Sequence, residues 1–317
     1  MYRVFVLLFL VLLTACKENN SEKTLSQNLI SKESIKSSLE RLASDEMEGR
    51  DTGSKGIEKA AVFIEDFFKK NKVKPYFKTY RDSFNLEDKV GYNVVGYVPG
   101  NDKRLKNEFV ILGAHYDHIG LANAVDGDSI ANGANDDASG TVAVMEMAKY
   151  FAKVKSNKRS LLFTLYSAEE IGLKGSEHLA ERLKNENLEL YTMINFEMIG
   201  VPMKERESLG YITGYDKSNI AEQLNIYAGF DVIGFLPQAK AYQLFLRSDN
   251  YPFYKQFGIP AHAISTFDFT NYEYYHHVDD EADKMDYEHM TTFIKALIPA
   301  MEGMTNTTEK EILLKNE

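Results

Sequence analysis

Residues 109–120 read FVILGAHYDHIG. Four consecutive apolar side chains leading into a glycine describe a strand buried on both faces. The run then places His115 and Asp117 two residues apart, where a buried strand gives way to a loop. Upstream, YNVVGYVPG (92–100) reads as a strand neighbouring this one. Downstream, GTVAVMEMAKYFAK (140–153) reads as a helix, RSLLFTLYSAEE (159–170) as a buried strand ending in two glutamates, and SEHLAERLKNEN (176–187) as a helix. LYTMINFEMIG (190–200) and IPAHAISTF (259–267) supply two more buried strands. Apolar strands alternating with helices argue an α/β domain: a mixed, largely parallel central sheet with helices on both faces. Before the sheet, residues 34–70 carry two helical patterns around a Gly-rich loop at 49–56. Ala60, Ala61, Phe63, Ile64, Phe67 and Phe68 recur there at core-facing spacing.

The chain has 317 residues, 44% hydrophobic and 26% charged, which is ordinary globular composition. A net charge of -10 and the lack of a dense Lys/Arg stripe exclude a nucleic-acid binder. The N-terminus, MYRVFVLLFLVLLTACKENN, has a basic Arg3, an apolar stretch over 4–13 and small residues before Cys16. That stretch is shorter than the ~20 apolar residues of a membrane span and reads as a secretory signal over 1–15. LTAC resembles a bacterial lipobox, which implies cleavage before Cys16, a lipid on that cysteine, and an exported chain anchored to a bacterial membrane. Cys16 is the only cysteine, so no disulfide is available. Residues 16–34 are expected to be a flexible tether, 35–305 a single domain and 306–317 a polar tail.

The carboxyl ends of parallel strands are where such sheets bind ligands. Gathered there are His115 and Asp117, Asp136 and Asp137 in NGANDDASG (132–140), Glu169 and Glu170, and Glu197; YYHHVDD (274–280) adds His276 and His277. Each alone reads as a capping or surface residue. Carboxylates converging on one rim repel one another, and a cation is the simplest remedy. Mixed imidazole and carboxylate donors suit zinc better than magnesium or calcium.

GAHYD (113–117), GANDDASG (133–140), SAEEIGLKGS (167–176), INFEMIG (194–200) and YHHVDDEADKMD (275–286) stand in the order of a known family. The chain resembles the co-catalytic dizinc aminopeptidases, whose family includes glutamate carboxypeptidases and, more distantly, glutaminyl cyclases. MEGRDTGSKGIEKAAVFI (47–64) and RSDNYPFYKQFGIP (247–260) extend the similarity to residues 35–301. The resemblance implies two Zn²⁺, one held by His115 and Glu197, the other by Glu170 and His276, with Asp136 bridging. Two Zn²⁺, three ligand carboxylates and one hydroxide then sum to zero charge. It further implies Glu169 as general base, Tyr275 as donor to the oxyanion, and Asp137 as support for the bridging aspartate through its backbone turn. Asp117 is suited to orient His115 from behind. His118 and His277 match no family role and are expected in loops or on the surface.

Two departures stand out. Glu197 occupies a position where most aminopeptidases of the family carry aspartate, and Asn250 one where histidine is frequent. The activity implied is that of an aminopeptidase on free peptide N-termini. A carboxypeptidase or dipeptidase is the alternative, favoured by Glu197, with Arg247 as partner for a substrate carboxylate or, equally, for Asp249. A glutaminyl cyclase is disfavoured by the complete ligand set, and a non-catalytic binding relative by the presence of both ligands and base.

Overall fold

A computed structural model of the chain describes residues 28–315. The expected signal peptide, Cys16 and most of the expected tether lie outside the described residues. Ile30 is already buried, and helix α1 (Lys32–Leu42) starts behind Ser31, whose hydroxyl accepts the Ser34 N–H. The folded part therefore begins a few residues before the expected boundary at 35. Helix α2 (Lys55–Lys70) is capped in the same way by Ser54, and its Ala60, Ala61, Ile64 and Phe68 face the core as their spacing requires.

Strands β1 (Lys74–Pro75), β2 (Arg81–Asn85), β3 (Val90–Val98), β4 (Glu108–His115), β7 (Ser160–Tyr166), β8 (Glu189–Glu197), β9 (Gly210–Ile212), β10 (Ile233–Gly234) and β11 (Ala261–Ser265) form one nine-stranded sheet. A small hairpin, β5 (Leu121–Val125) and β6 (Asp128–Ile130), stands apart. The sheet runs β1-β3-β7-β4-β8-β11-β9-β10, with β2 also on β3. Strands β7, β4, β8 and β11 are mutually parallel, and antiparallel pairings flank them. The mixed, largely parallel reading holds. One expectation fails: β3 and β4 are not neighbours, because β7 lies between them.

That insertion positions the site. Helix α3 (Gly140–Val154) carries the chain from β4 to β7 on one side, and helix α4 (Lys174–Asn185) carries it back past β4 to β8 on the other. The order of strands thus reverses at β4, and the carboxyl end of β4 is a crevice flanked by loops of opposite sense. Helices α5 (Ile220–Ala228) and α6 (Pro237–Ala241) follow β9 and β10 near the sheet's far edge. Both faces are covered. Val110, Leu112 and Ala114 of β4 join a core with α1, α2, α3 and α8 (Tyr287–Asn306), while Ile111 joins a second core with Leu179 and Leu183 of α4 and Phe253 of α7 (Asn250–Phe257). This period-two division explains why β4 is apolar throughout.

The last described residues are not a free polar tail. Ile312 is buried with its N–H on the Tyr191 hydroxyl at 2.8 Å, and Arg159 holds the Thr307 carbonyl at 2.6 Å.

Candidate metal centre

His115 is the last residue of β4 and Glu197 the last of β8, so two neighbouring parallel strands aim them at the same crevice. Asp136 comes from the turn Ala134–Ser139 that opens α3, and Glu169 and Glu170 from the loop after β7. His276 lies on the loop beyond β11, in the left-handed backbone region at φ 56°. These residues, distant in sequence, meet. His115 Nε2 lies 3.2 Å from Asp136 Oδ1 and 3.3 Å from Glu197 Oε1. His276 Nε2 lies 3.3 Å from Asp136 Oδ2 and 3.0 Å from Glu170 Oε2. The Asp136 carboxylate therefore turns one oxygen to each set.

Donor atoms about 2.0–2.1 Å from a tetrahedral ion sit about 3.3 Å from one another. The observed separations fit atoms that share a metal ion, and Asp136 stands between the two sets. Electrostatics agree. Against burial, contacts with His115 and His276 hold the Asp136 carboxyl far below the usual range, and His118 and His276 hold Glu170 low. Asp136 and Glu170 push His276 up to about 10. Burial, and then Glu197, push Asp137 well above the carboxylate range; burial first, with Asp249, Glu197 and Glu170 adding, does the same to Glu169. So much negative charge in one crevice calls for more positive charge than its imidazoles supply.

Asp117 sits behind His115, as expected, and also serves a neighbouring loop. His115 Nδ1 lies 3.2 Å from the Asp117 backbone carbonyl and 3.6 Å from its carboxylate. The carboxylate also accepts the N–H groups of Glu169 and Glu170 at 3.3 and 3.4 Å and the Thr52 hydroxyl at 3.3 Å, so it shapes the loop that presents both glutamates. Asp137, joined to Asp136 by a cis peptide, accepts from Gly140 N–H at 3.1 Å and Met198 N–H at 3.0 Å, tying the start of α3 to the end of β8. Its donor atom also comes within 4.8 Å of those of His115 and Glu197.

A cavity of about 550 Å³ opens onto Glu169, Glu170, Glu197, Tyr275 and His276. Its lining also includes the apolar side chains of Leu244, Leu246, Phe267 and Phe269. The Tyr275 ring, 44% exposed, stacks on His276 at 4.0 Å. Partial burial, and then Asp136 and Glu170, push its phenol up, so it remains an O–H donor.

Several expectations are corrected here. His118 is 1% exposed, not a surface residue, and its Nδ1 lies 2.8 Å from Glu170 Oε1. His277, by contrast, stands where it is expected, on a surface loop, with its side chain 41% exposed. Arg247 and Asp249 form no ion pair: Arg247 is exposed on the cavity wall, whereas Asp249 is fully buried, and burial pushes it up to about 7. Asn250 is buried and bonds the Phe245 and Ala261 carbonyls at 3.2 and 3.3 Å, so it braces α7 and does not line the cavity.

Other contributors lie in the quoted motifs, but nothing in the sequence assigned them a role. Asp280 accepts the Asn135 and Asp136 N–H groups at 2.8 and 3.0 Å and the Tyr272 hydroxyl at 2.5 Å, which fixes the bridging aspartate. Ser248 donates to Glu197 Oε2 at 2.6 Å. The longer glutamate thus offers one oxygen to His115 while a serine holds the other. Arg50, fully buried, bonds the carbonyls of Leu42, Tyr116, Asn132 and Gly133 and staples the His115 loop to the Asp136 loop. Its appearance in MEGRD offered only a charged residue in a Gly-rich loop.

An α/β sheet with imidazoles and carboxylates paired around a shared aspartate at its topological switch defines a hydrolase-like metal-centre architecture. Residues 93–301 match the model of Peptidase family M28, well over half of the chain, and the chain belongs to that family. It is 28% identical over 217 residues to leucine aminopeptidase 1 of Paracoccidioides brasiliensis, covering 64% of this chain and 53% of that protein. The chain spans about half the length of the curated leucine aminopeptidases it matches. Among solved structures, its fold resembles the LapA aminopeptidase of Legionella pneumophila, with TM-score 0.69, 21% identity, and 92% of this chain and 76% of that one covered. It also resembles the glutaminyl cyclase of Porphyromonas gingivalis, with TM-score 0.65, 15% identity, and coverage of 86% and 98%.

Proposed function

We propose that the chain is an extracytoplasmic dizinc exopeptidase that removes residues from free peptide N-termini. The observation that carries this reading is Asp136, whose two carboxylate oxygens face the His115–Glu197 and His276–Glu170 sets at 3.2 and 3.3 Å. His115 and Glu197 would hold one zinc, Glu170 and His276 the other, with Asp136 between them. When bound, the ions supply Lewis acidity and lower the pKa of the attacking water. Glu169 lines the cavity and takes the water's proton, then delivers it to the leaving amine. The Tyr275 O–H donates toward the oxygen that gains charge.

Substrate polarity is argued from the cavity's charges. Of the glutamates that line it, Glu170 and Glu197 are taken up by the ions, which leaves the Glu169 carboxylate to favour a substrate ammonium, and the apolar lining suits an aliphatic or aromatic side chain. The leucine aminopeptidases among the relatives point the same way. A carboxypeptidase needs a fixed cation for the terminal carboxylate, and Arg247 on the cavity wall is the observation that favours this second reading. A peptide panel separates them. N-terminal acetylation is expected to block cleavage and C-terminal amidation to leave it intact, with Glu197→Asp retaining measurable activity; cleavage of the acetylated peptide with refusal of the amidated one reverses the assignment.

For localisation, we infer lipid anchoring at Cys16 outside the cytoplasm. No helix among the described residues is long and apolar enough to cross a membrane. Cys16→Ser is expected to move the protein from the membrane to the soluble fraction, read by fractionation and blotting. Retention of a signal-cleaved variant in the membrane contradicts the anchor.

A further inference from the structure

We propose that His118 is a positioning residue for the second metal, holding Glu170 so that one carboxylate oxygen is reserved for the ion; the inference rests on the dizinc reading above. His118 Nδ1 lies 2.8 Å from Glu170 Oε1, while Glu170 Oε2 lies 3.0 Å from His276 Nε2. A carboxylate only accepts, so the proton is on His118 Nδ1 and points at Oε1. That hydrogen bond turns Oε2 toward His276 and Asp136. Without it, Glu170 is a three-torsion side chain at the cavity edge, 9% exposed, with no other hydrogen bond to Oε1 among the described residues.

The imidazole is itself fixed. Its backbone N–H bonds the Arg50 carbonyl at 3.3 Å, and Arg50 in turn grips the loops on either side. The ring meets His276 edge-on, at 5.6 Å between centroids and 70° between planes. Gly133 passes so close that a Cβ there would fall 2.6 Å from His118 Cγ, so only glycine leaves room for the ring, and its φ of 57° favours glycine as well. His118 thus reaches a ligand of the second set from a rigid base, whereas His115 serves the first set. Partners that orient ligand side chains typically contribute about 10–100-fold to metal affinity.

Calorimetric Zn²⁺ titration of the metal-stripped full chain, against a competing chelator, tests this without reference to turnover. His118→Ala is expected to weaken one of two sites by about 10–100-fold and leave the other unchanged. His118→Asn is expected to restore the weak site to within a few-fold, since Asn Nδ2 branches from Cγ as His Nδ1 does and donates to the same oxygen. Circular dichroism melts of the stripped variants identify any loss of folding, and the Asn variant keeps the test open if Ala does not fold. Unchanged affinity at both sites in His118→Ala overturns the proposal. So does an Asn variant as weak as Ala, which would make His118 a ligand. A wild-type chain that takes up fewer than two ions removes the dizinc reading itself, a separate and recognisable failure.

Discussion

Glu169→Gln is expected to keep the fold and the metal content of the wild type and to lose activity by about 10²-fold or more. The amide matches the carboxylate in shape but has no basic lone pair to take the proton from water. Glu169 lines the cavity beside the two sets, whereas Glu170 lies 3.0 Å from His276 within one of them, so the neighbouring variant Glu170→Gln should instead lose metal. Metal content by elemental analysis, set beside kcat for the two variants, separates base from ligand. Equal occupancy and equal activity in both would show the division of roles to be wrong.

Removing the metal should have the second large effect. Chelation is expected to abolish hydrolysis and to lower Tm on the order of 10 °C. An ion at ~1,000 times its Kd adds about 4 kcal/mol, and each kcal/mol moves Tm by about 2–4 °C in a domain of this size class. The direction comes from the crowded carboxylates, which the stripped protein accommodates with protons: His115 and His276 are pushed up beside them, and burial pushes Asp137 and Glu169 up as well. His276, pushed up to about 10 by Asp136 and Glu170, is an imidazolium at neutral pH and must lose its proton to bind an ion. Loading at pH 7 should therefore release protons, and apparent affinity should rise with pH as protons compete less well. Titration in two buffers of different ionisation enthalpy measures that release. Unchanged Tm after chelation, with no ion found by analysis, would sink the dizinc reading.

Much of this site could be read from residue order alone because the relevant signals are local. A strand buried on both faces is mostly apolar, so β4, β7, β8 and β11 are legible as runs in which few polar residues interrupt the apolar ones. The polar residues that close each run sit, by chain direction, at a strand's carboxyl end. The strand ends point to His115, Glu170 and Glu197, the family resemblance adds Asp136 and His276, and the structure brings these five side chains together. His118 did not, because its neighbours predict only that a loop has begun, and loops are usually on the surface.

The chain by itself therefore determined the principal strands and helices around the site and which polar residues close those strands, since periodicity and chain direction are properties of consecutive residues. Only the tertiary structure decided which segments are neighbours. It placed β7 between β3 and β4, because helices α3 and α4 pack on opposite faces and turn the chain back across β4. It buried His118 against Glu170, turned Asp249 inward away from any pairing with Arg247, set Asp280 under the backbone of Asp136 and gave one oxygen of Glu197 to Ser248. Each of these is a directional contact between segments far apart in the chain, and a hydrogen bond's partner is chosen by where packing brings two groups within about 3 Å, a distance that no run of consecutive residues encodes.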